Sequence, residues 1–219
     1  SVKYVPVQWG SNKWLYDAVL IVCVVAYVWI FLALGVPDAD TTRPVDGAIV
    51  RMRAFGSCAF LMLSVILCIG PLARLEPRFL PLLYNRRHFG VLTTAVALSH
   101  ALAVLDWYYN FSPTPQLQAL LFSNTSYGQL VGFPFEAFGL FALIALALLA
   151  ATSHDFWLNF LSAPLWKTLH LLIYPAYAAV IAHVAFGYLQ DTANPGFAIV
   201  VAGGAFSVAA LHVAAFVSQ

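Results

Sequence analysis

Two of the chain's six histidines, His170 and His183, stand thirteen residues apart in one apolar stretch, LWKTLHLLIYPAYAAVIAHVAFGYL over 165–189. As helix, that separation is about 20 Å along the axis, most of the roughly 30 Å hydrocarbon thickness of a bilayer. An imidazole at membrane depth is costly unless something binds it, so it marks a functional site by default. Neutral imidazole is a metal ligand through one ring nitrogen, and iron porphyrin takes such axial ligands. The spacing therefore predicts iron porphyrin ligation, with one histidine towards each face of the membrane. A second apolar stretch carries His100 nineteen residues after Pro81, just as His183 follows Pro164 by nineteen. With both prolines at helix starts, the two imidazoles reach one depth on neighbouring helices, where they can clamp a single iron. The alternative is a pair of histidines hydrogen-bonded to backbone carbonyls or to each other.

A second level is set by His170, six residues after Pro164, and His88, seven after Pro81. His88 to His100 advances about 120° around a helix, and His170 to His183 about 220°, or roughly 140° the other way. On parallel neighbouring helices those opposite senses can bring His88 and His170 to one flank. Pro175 lies between His170 and His183 and is expected to kink their helix. His88 also has a plainer reading, as a solvated basic residue after Arg86 and Arg87. His154 reads as a solvent-facing or helix-end residue, and His212 as a buried, hydrogen-bonded one. The carboxylates of a haem need cationic partners, and Arg51 and Arg53 open the second apolar stretch at the level of His100 and His183. They are about 200° apart on a helix, so one of the two faces the bundle; alternatively both snorkel to lipid phosphates. Arg74, Arg78, Arg86 and Arg87 sit at the level of an inner haem, but the charge bias of membrane loops already explains them.

The elements that must hold these side chains are membrane spans. Of 219 residues 62% are hydrophobic and only 9% charged, with a mean hydropathy of +0.85. A soluble domain carries about 25% charged residues. The composition predicts an all-α integral membrane protein, and a net charge of +1 gives no case for nucleic acid. Cys23, Cys58 and Cys68 form no CxxC pair and read as small buried hydrophobes. Six apolar segments are expected, at about Trp14–Val36, Ala48–Leu72, His88–Tyr109, Pro134–Thr152, Leu165–Leu189 and Phe197–Val217. A short interfacial helix is expected in the long loop after Tyr109. Basic residues set the orientation. With both termini cytoplasmic, Lys3, Lys13, Arg74, Arg78, Arg86, Arg87 and Lys167 lie inside, against Arg43, Arg51 and Arg53 outside. Trp14, Trp107, Trp157 and Trp166 fall near span ends, as an aromatic belt requires. The expectation is a six-transmembrane helix bundle over residues 1–219, a single domain with both termini cytoplasmic. No cleavable signal peptide is expected, no internal repeat is found, and no Gly-rich dinucleotide fingerprint is present. No flavin or nicotinamide domain is therefore expected in the chain.

Three segments carry a family resemblance: GPLAR at 70–74, RRHFGVLTTAVALSH at 86–100 and WKTLHLLIYPAYAAVIAH at 166–183. Together, over about residues 45–190, the chain resembles the ferric reductase-like transmembrane superfamily. The nearest branch is the YedZ/MsrQ type, the haem-binding membrane subunit of a periplasmic methionine sulfoxide reductase system. The resemblance implies b-type haem bound through His100 and His183, with His170 as a further ligand, in a multi-pass protein of the bacterial inner membrane. Two-haem relatives carry a histidine fourteen residues before the outer ligand, and here that position is Arg86, with His88 two residues off. A second haem therefore uses His88, has an incomplete ligand set, or is absent.

The function expected is transmembrane electron transfer. Electrons would come from a separate flavoprotein, an iron–sulfur protein or membrane quinol. They would leave to a soluble or membrane acceptor on the outer face. A quinone or flavin would belong to such a partner. One rival is a stand-alone ferric or quinone reductase. Another, from a different class, is a haem-free transporter or scaffold whose midplane histidines relay protons or bind metal.

Overall fold

A computed structural model of the chain describes residues 10–34, 46–190 and 195–218. Two residues used above for orientation, Lys3 and Arg43, lie outside the described residues, as does most of the loop before the last helix.

The first apolar segment forms α1, Ser11–Leu34. Asp46 then caps α2, Gly47–Leu75, by accepting the Ala48 N–H at 2.8 Å. This cap satisfies one of the orphan donors of the first turn. After Glu76 a 3₁₀ turn leads into the short α3, Leu80–Tyr84, and then α4, Arg86–Tyr109. The long loop contains α5, Gln116–Phe122, where the interfacial helix is expected. Next come α6, Glu136–Ala151, and the connecting α7, Asp155–Phe160. The fifth segment is two helices, α8, Ala163–His170, and α9, Ile173–Phe186. Pro175 has no N–H to give the Leu171 carbonyl and its ring crowds that carbonyl. The helix duly breaks at Leu171 and Leu172, one turn before the proline, as a kink between His170 and His183 requires. The last helix is α10, Gly196–Val217.

The described residues are all helical or irregular, without a strand. Five stretches are long and apolar enough to cross a membrane: 11–34, 47–75, 86–109, 163–190 and 196–217. The remaining segment, α6, is apolar throughout but has 16 residues, or about 24 Å of helix. The chain is an integral membrane protein.

Helix α2 is the hub, with α1, α4 and α10 packed on it, while α4 packs on α6 and α6 on α9. Its Phe60, Leu63 and Leu67 meet Leu146 of α6, Tyr177 of α9 and Val201 and Val208 of α10 in one buried cluster. Phe60 stacks on Tyr177 at 5.7 Å, and the Tyr177 hydroxyl is 2.8 Å from Ser64 Oγ. In hydrocarbon such close packing and interhelical hydrogen bonds replace the hydrophobic effect as the glue. Helix α1 is peripheral and buries no residue. It is held by Tyr27, whose hydroxyl donates to Ser57 Oγ at 2.9 Å, and by a histidine–aspartate contact described below.

Candidate functional site

His100 on α4 and His183 on α9 meet in the bundle, with ring centres 6.4 Å apart and ring planes crossed at 82°. Each ring is fixed by a neighbouring helix or its lead-in. His100 Nδ1 is 2.9 Å from the Met52 carbonyl oxygen, and His183 Nδ1 is 3.0 Å from that of Phe135. A carbonyl only accepts, so both Nδ1 atoms carry the proton and both Nε2 lone pairs remain available. A metal-ligating histidine is normally oriented in this way, by donating its other N–H to a carbonyl or carboxylate. The carbonyl contacts that the sequence offers as a bland alternative are present, and they leave the ligating nitrogens free.

Each imidazole also lies against a glycine one turn beyond its carbonyl partner. A Cβ on Gly56 would stand 3.0 Å from His100 Nδ1, and one on Gly139 would stand 2.7 Å from His183 Nδ1. No side chain larger than hydrogen fits beneath either ring without displacing it. The two cradles are copies. Met52-Arg53-Ala54-Phe55-Gly56 returns as Phe135-Glu136-Ala137-Phe138-Gly139, 83 residues further on, and the same interval separates His100 from His183 and Pro81 from Pro164. This corrects the expectation of no internal repeat. What recurs is a carbonyl and a glycine four residues on, each against a histidine 48 residues after the carbonyl. Only three of the five cradle residues are identical, which hides the repeat in the sequence, although the Ala-Phe-Gly triplets at one interval before each histidine are its visible trace.

At the repeat's diverged position stand Arg53 and Glu136. The Arg53 guanidinium lies 4.6 Å from the centre of the Tyr188 ring, just past α9, while Arg51 is exposed. The pair therefore splits as the helix geometry requires. Glu136 lies near Tyr109 at the end of α4. Its Oε2 is buried without a hydrogen-bond partner among the described residues.

The other level is built differently. His170 ends α8, stacked on Trp166 at 3.9 Å, with Nε2 3.4 Å from Thr152 Oγ1. It borders a cavity of about 370 Å³ between α2, α4, α6, α8 and α9, also lined by Arg74, Arg86, Lys167 and His212. The structure does not bring His88 to His170. His88 Nδ1 instead pairs with Asp17 of α1, at 2.8 Å to Oδ2 and 3.0 Å to Oδ1. His212 has both nitrogens engaged, Nδ1 with the Val208 carbonyl at 2.8 Å and Nε2 with the Tyr174 hydroxyl at 3.2 Å. His154 caps α7 by accepting the Phe156 N–H at 3.2 Å, the helix-end role expected of it.

A haem iron fits the first level. A metal–imidazole bond is about 2 Å, so two rings on one metal have centres roughly 6 Å apart once the ring radii are added, close to the 6.4 Å found. Among the described residues no three His, Cys, Asp or Glu side chains gather as a bare-metal site. At the second level the residues do not fit a two-histidine haem, because no second imidazole with a free nitrogen faces His170.

No curated protein and no solved structure matches the chain. The family described as "Ferric reductase like transmembrane component" matches residues 55–181, which take in α4, α6, α8, both cradle glycines and His100, and end two residues short of His183. That span is more than half of the sequence, and the chain belongs to this family of membrane redox proteins.

Proposed function

We propose that the chain is a transmembrane electron-transfer protein holding one b-type haem between His100 and His183. The observation that carries this reading is the matched pair of imidazoles, both with Nδ1 bound to a backbone carbonyl and Nε2 free, at a ring separation suited to one metal. When bound, haem supplies a one-electron iron couple in the low-dielectric bundle. His100 and His183 would hold its iron and leave no coordination position open for oxygen or a substrate. The Met52 and Phe135 carbonyls hold the rings against rotation, and Gly56 and Gly139 let α2 and α6 approach them. Arg53 is the cation placed for a haem carboxylate.

Counted with α6, the bundle has six spans, and the bias of basic residues places both termini in the cytoplasm. In that orientation electrons pass from a cytoplasmic-side flavoprotein, iron–sulfur protein or membrane quinol towards an acceptor on the outer face. The YedZ/MsrQ resemblance makes that acceptor a methionine sulfoxide reductase. The family match favours a second reading, direct reduction of ferric chelates at the surface, which rapid reoxidation of the reduced protein by such chelates would support. The first test is a dithionite-reduced minus oxidised spectrum with haem counted per chain. One low-spin b-type haem, lost in His100→Ala and in His183→Ala, is expected. Colourless protein from haem-replete cells would end the electron-transfer reading.

A further inference from the structure

The cavity beside His170 has a lining that the haem of the first level does not explain. Its cationic residues are Arg74, in the last turn of α2, Arg86, which opens α4, Lys167 on α8, and Arg87. Arg87 is already engaged, paired with Asp155 and placed over the Trp166 ring at 5.2 Å. Among the described residues, Arg74, Arg86 and Lys167 have no carboxylate partner. A solvated interfacial arginine would extend away from the bundle. Arg86 turns inwards, so that a Cβ on Gly70 of α2 would stand 3.5 Å from its Nη1. Deeper in, the walls are aliphatic, from Leu63, Ile66 and Leu67 of α2 to Leu146 and Leu149 of α6. A cationic mouth over an apolar interior, at the end of a helix bundle, matches an amphiphile with an anionic head. The volume of about 370 Å³ falls within the roughly 300–1,000 Å³ of small-ligand pockets.

We infer that this cavity binds an anionic phospholipid, with its phosphate between Arg74, Arg86 and Lys167 and the start of an acyl chain against α2 and α6. The shared chemistry is a phosphate diester, and basic pockets between membrane helices bind such headgroups. The lipid is favoured over a soluble phosphate by the aliphatic depth of the cavity, which a free anion leaves unfilled. It is favoured over a second haem because both nitrogens of His212, the other imidazole lining the cavity, are engaged, and His88 is paired with Asp17.

The test is native mass spectrometry of the full chain released from nanodiscs of phosphatidylglycerol and phosphatidylcholine in equal parts. One phosphatidylglycerol per chain should be retained in preference to phosphatidylcholine. Retention should fall by on the order of tenfold or more in the double variant Arg86→Gln/Lys167→Gln. Arg78→Gln removes a charge at the same end, from an exposed pair with Glu76 outside the cavity, and should retain lipid as the parent does. Gly90 lines the cavity with open space around its Cβ direction. Gly90→Leu should expel the lipid with every charge in place, and it decides the matter should the double variant fail to fold. Equal losses in Arg78→Gln and the double variant would overturn the proposal in favour of diffuse surface charge. Displacement of the lipid by millimolar inorganic phosphate would overturn it in favour of a soluble anion. A second haem lost in His170→Ala would overturn it in favour of a haem pocket.

Discussion

The level of His100 and His183 and the level of His170 lie in one bundle and share helices, yet they solve opposite problems. In the first, each imidazole has Nδ1 tied to a carbonyl and a glycine beneath the ring, and the two ring centres lie 6.4 Å apart. In the second, His170 and His212 line one cavity with four cations, His212 has both nitrogens engaged, and His88 is paired with Asp17 instead. A ligand pair requires duplication of its support as well as of the ligand, and the repeat supplies that support at one level alone.

The largest effect that can break this comparison is at the first level. His100→Ala or His183→Ala should abolish haem binding, whereas His170→Ala should leave the Soret band in place; equal losses in all three would erase the distinction. Next come the glycines. Gly139→Ala places a Cβ 2.7 Å from its ring and Gly56→Ala 3.0 Å, so both should weaken haem retention by about tenfold to a hundredfold, the former more. The rings' 82° crossing adds a spectroscopic check. The loaded ferric protein should give the strongly anisotropic single-peak EPR signal of crossed imidazole planes, and a rhombic three-line signal would mean that the rings rotate together. Asp17→Asn removes the partner of His88 and should cost about 1–2 kcal/mol, between the values for exposed and buried pairs, with haem content unchanged. Thermal unfolding in detergent, read beside the visible spectrum, checks both halves. Smallest is Ser64→Ala, which takes one interhelical hydrogen bond from Tyr177 and should cost about 0.6 kcal/mol in the same assay.

Much of the first level was legible because depth in a helix follows from counting. Pro81 opens α3 and Pro164 opens α8, the elements just ahead of α4 and α9, and equal intervals carry His100 and His183 to one another's side. The break after His170 was legible in the same way, from Pro175. What counting does not give is rotation about a helix axis relative to a neighbour. That is why His88 looked able to face His170, when α1 supplies Asp17 instead. Gly56 and Gly139 were missed for a related reason. A glycine in an apolar helix has no chemistry of its own, and its meaning comes from a ring on another helix. The split between Arg51 and Arg53 was foreseen as geometry, but which one turns inwards needed the placement of Tyr188.

A scaffold made of two equal halves would accept an asymmetric planar guest either way round, and the two insertions would be isoenergetic. Here one rim of the paired cradles carries Arg53 and the corresponding rim carries Glu136. Opposite charges at equivalent positions would lift that degeneracy, because a guest with acidic groups on one edge would be drawn to one rim and turned from the other. Two separate identical subunits could not make this choice, since any change in one would be made in both. A tandem chain lets the halves drift apart at one position while their cradles stay matched, and orientation becomes a property that is inherited.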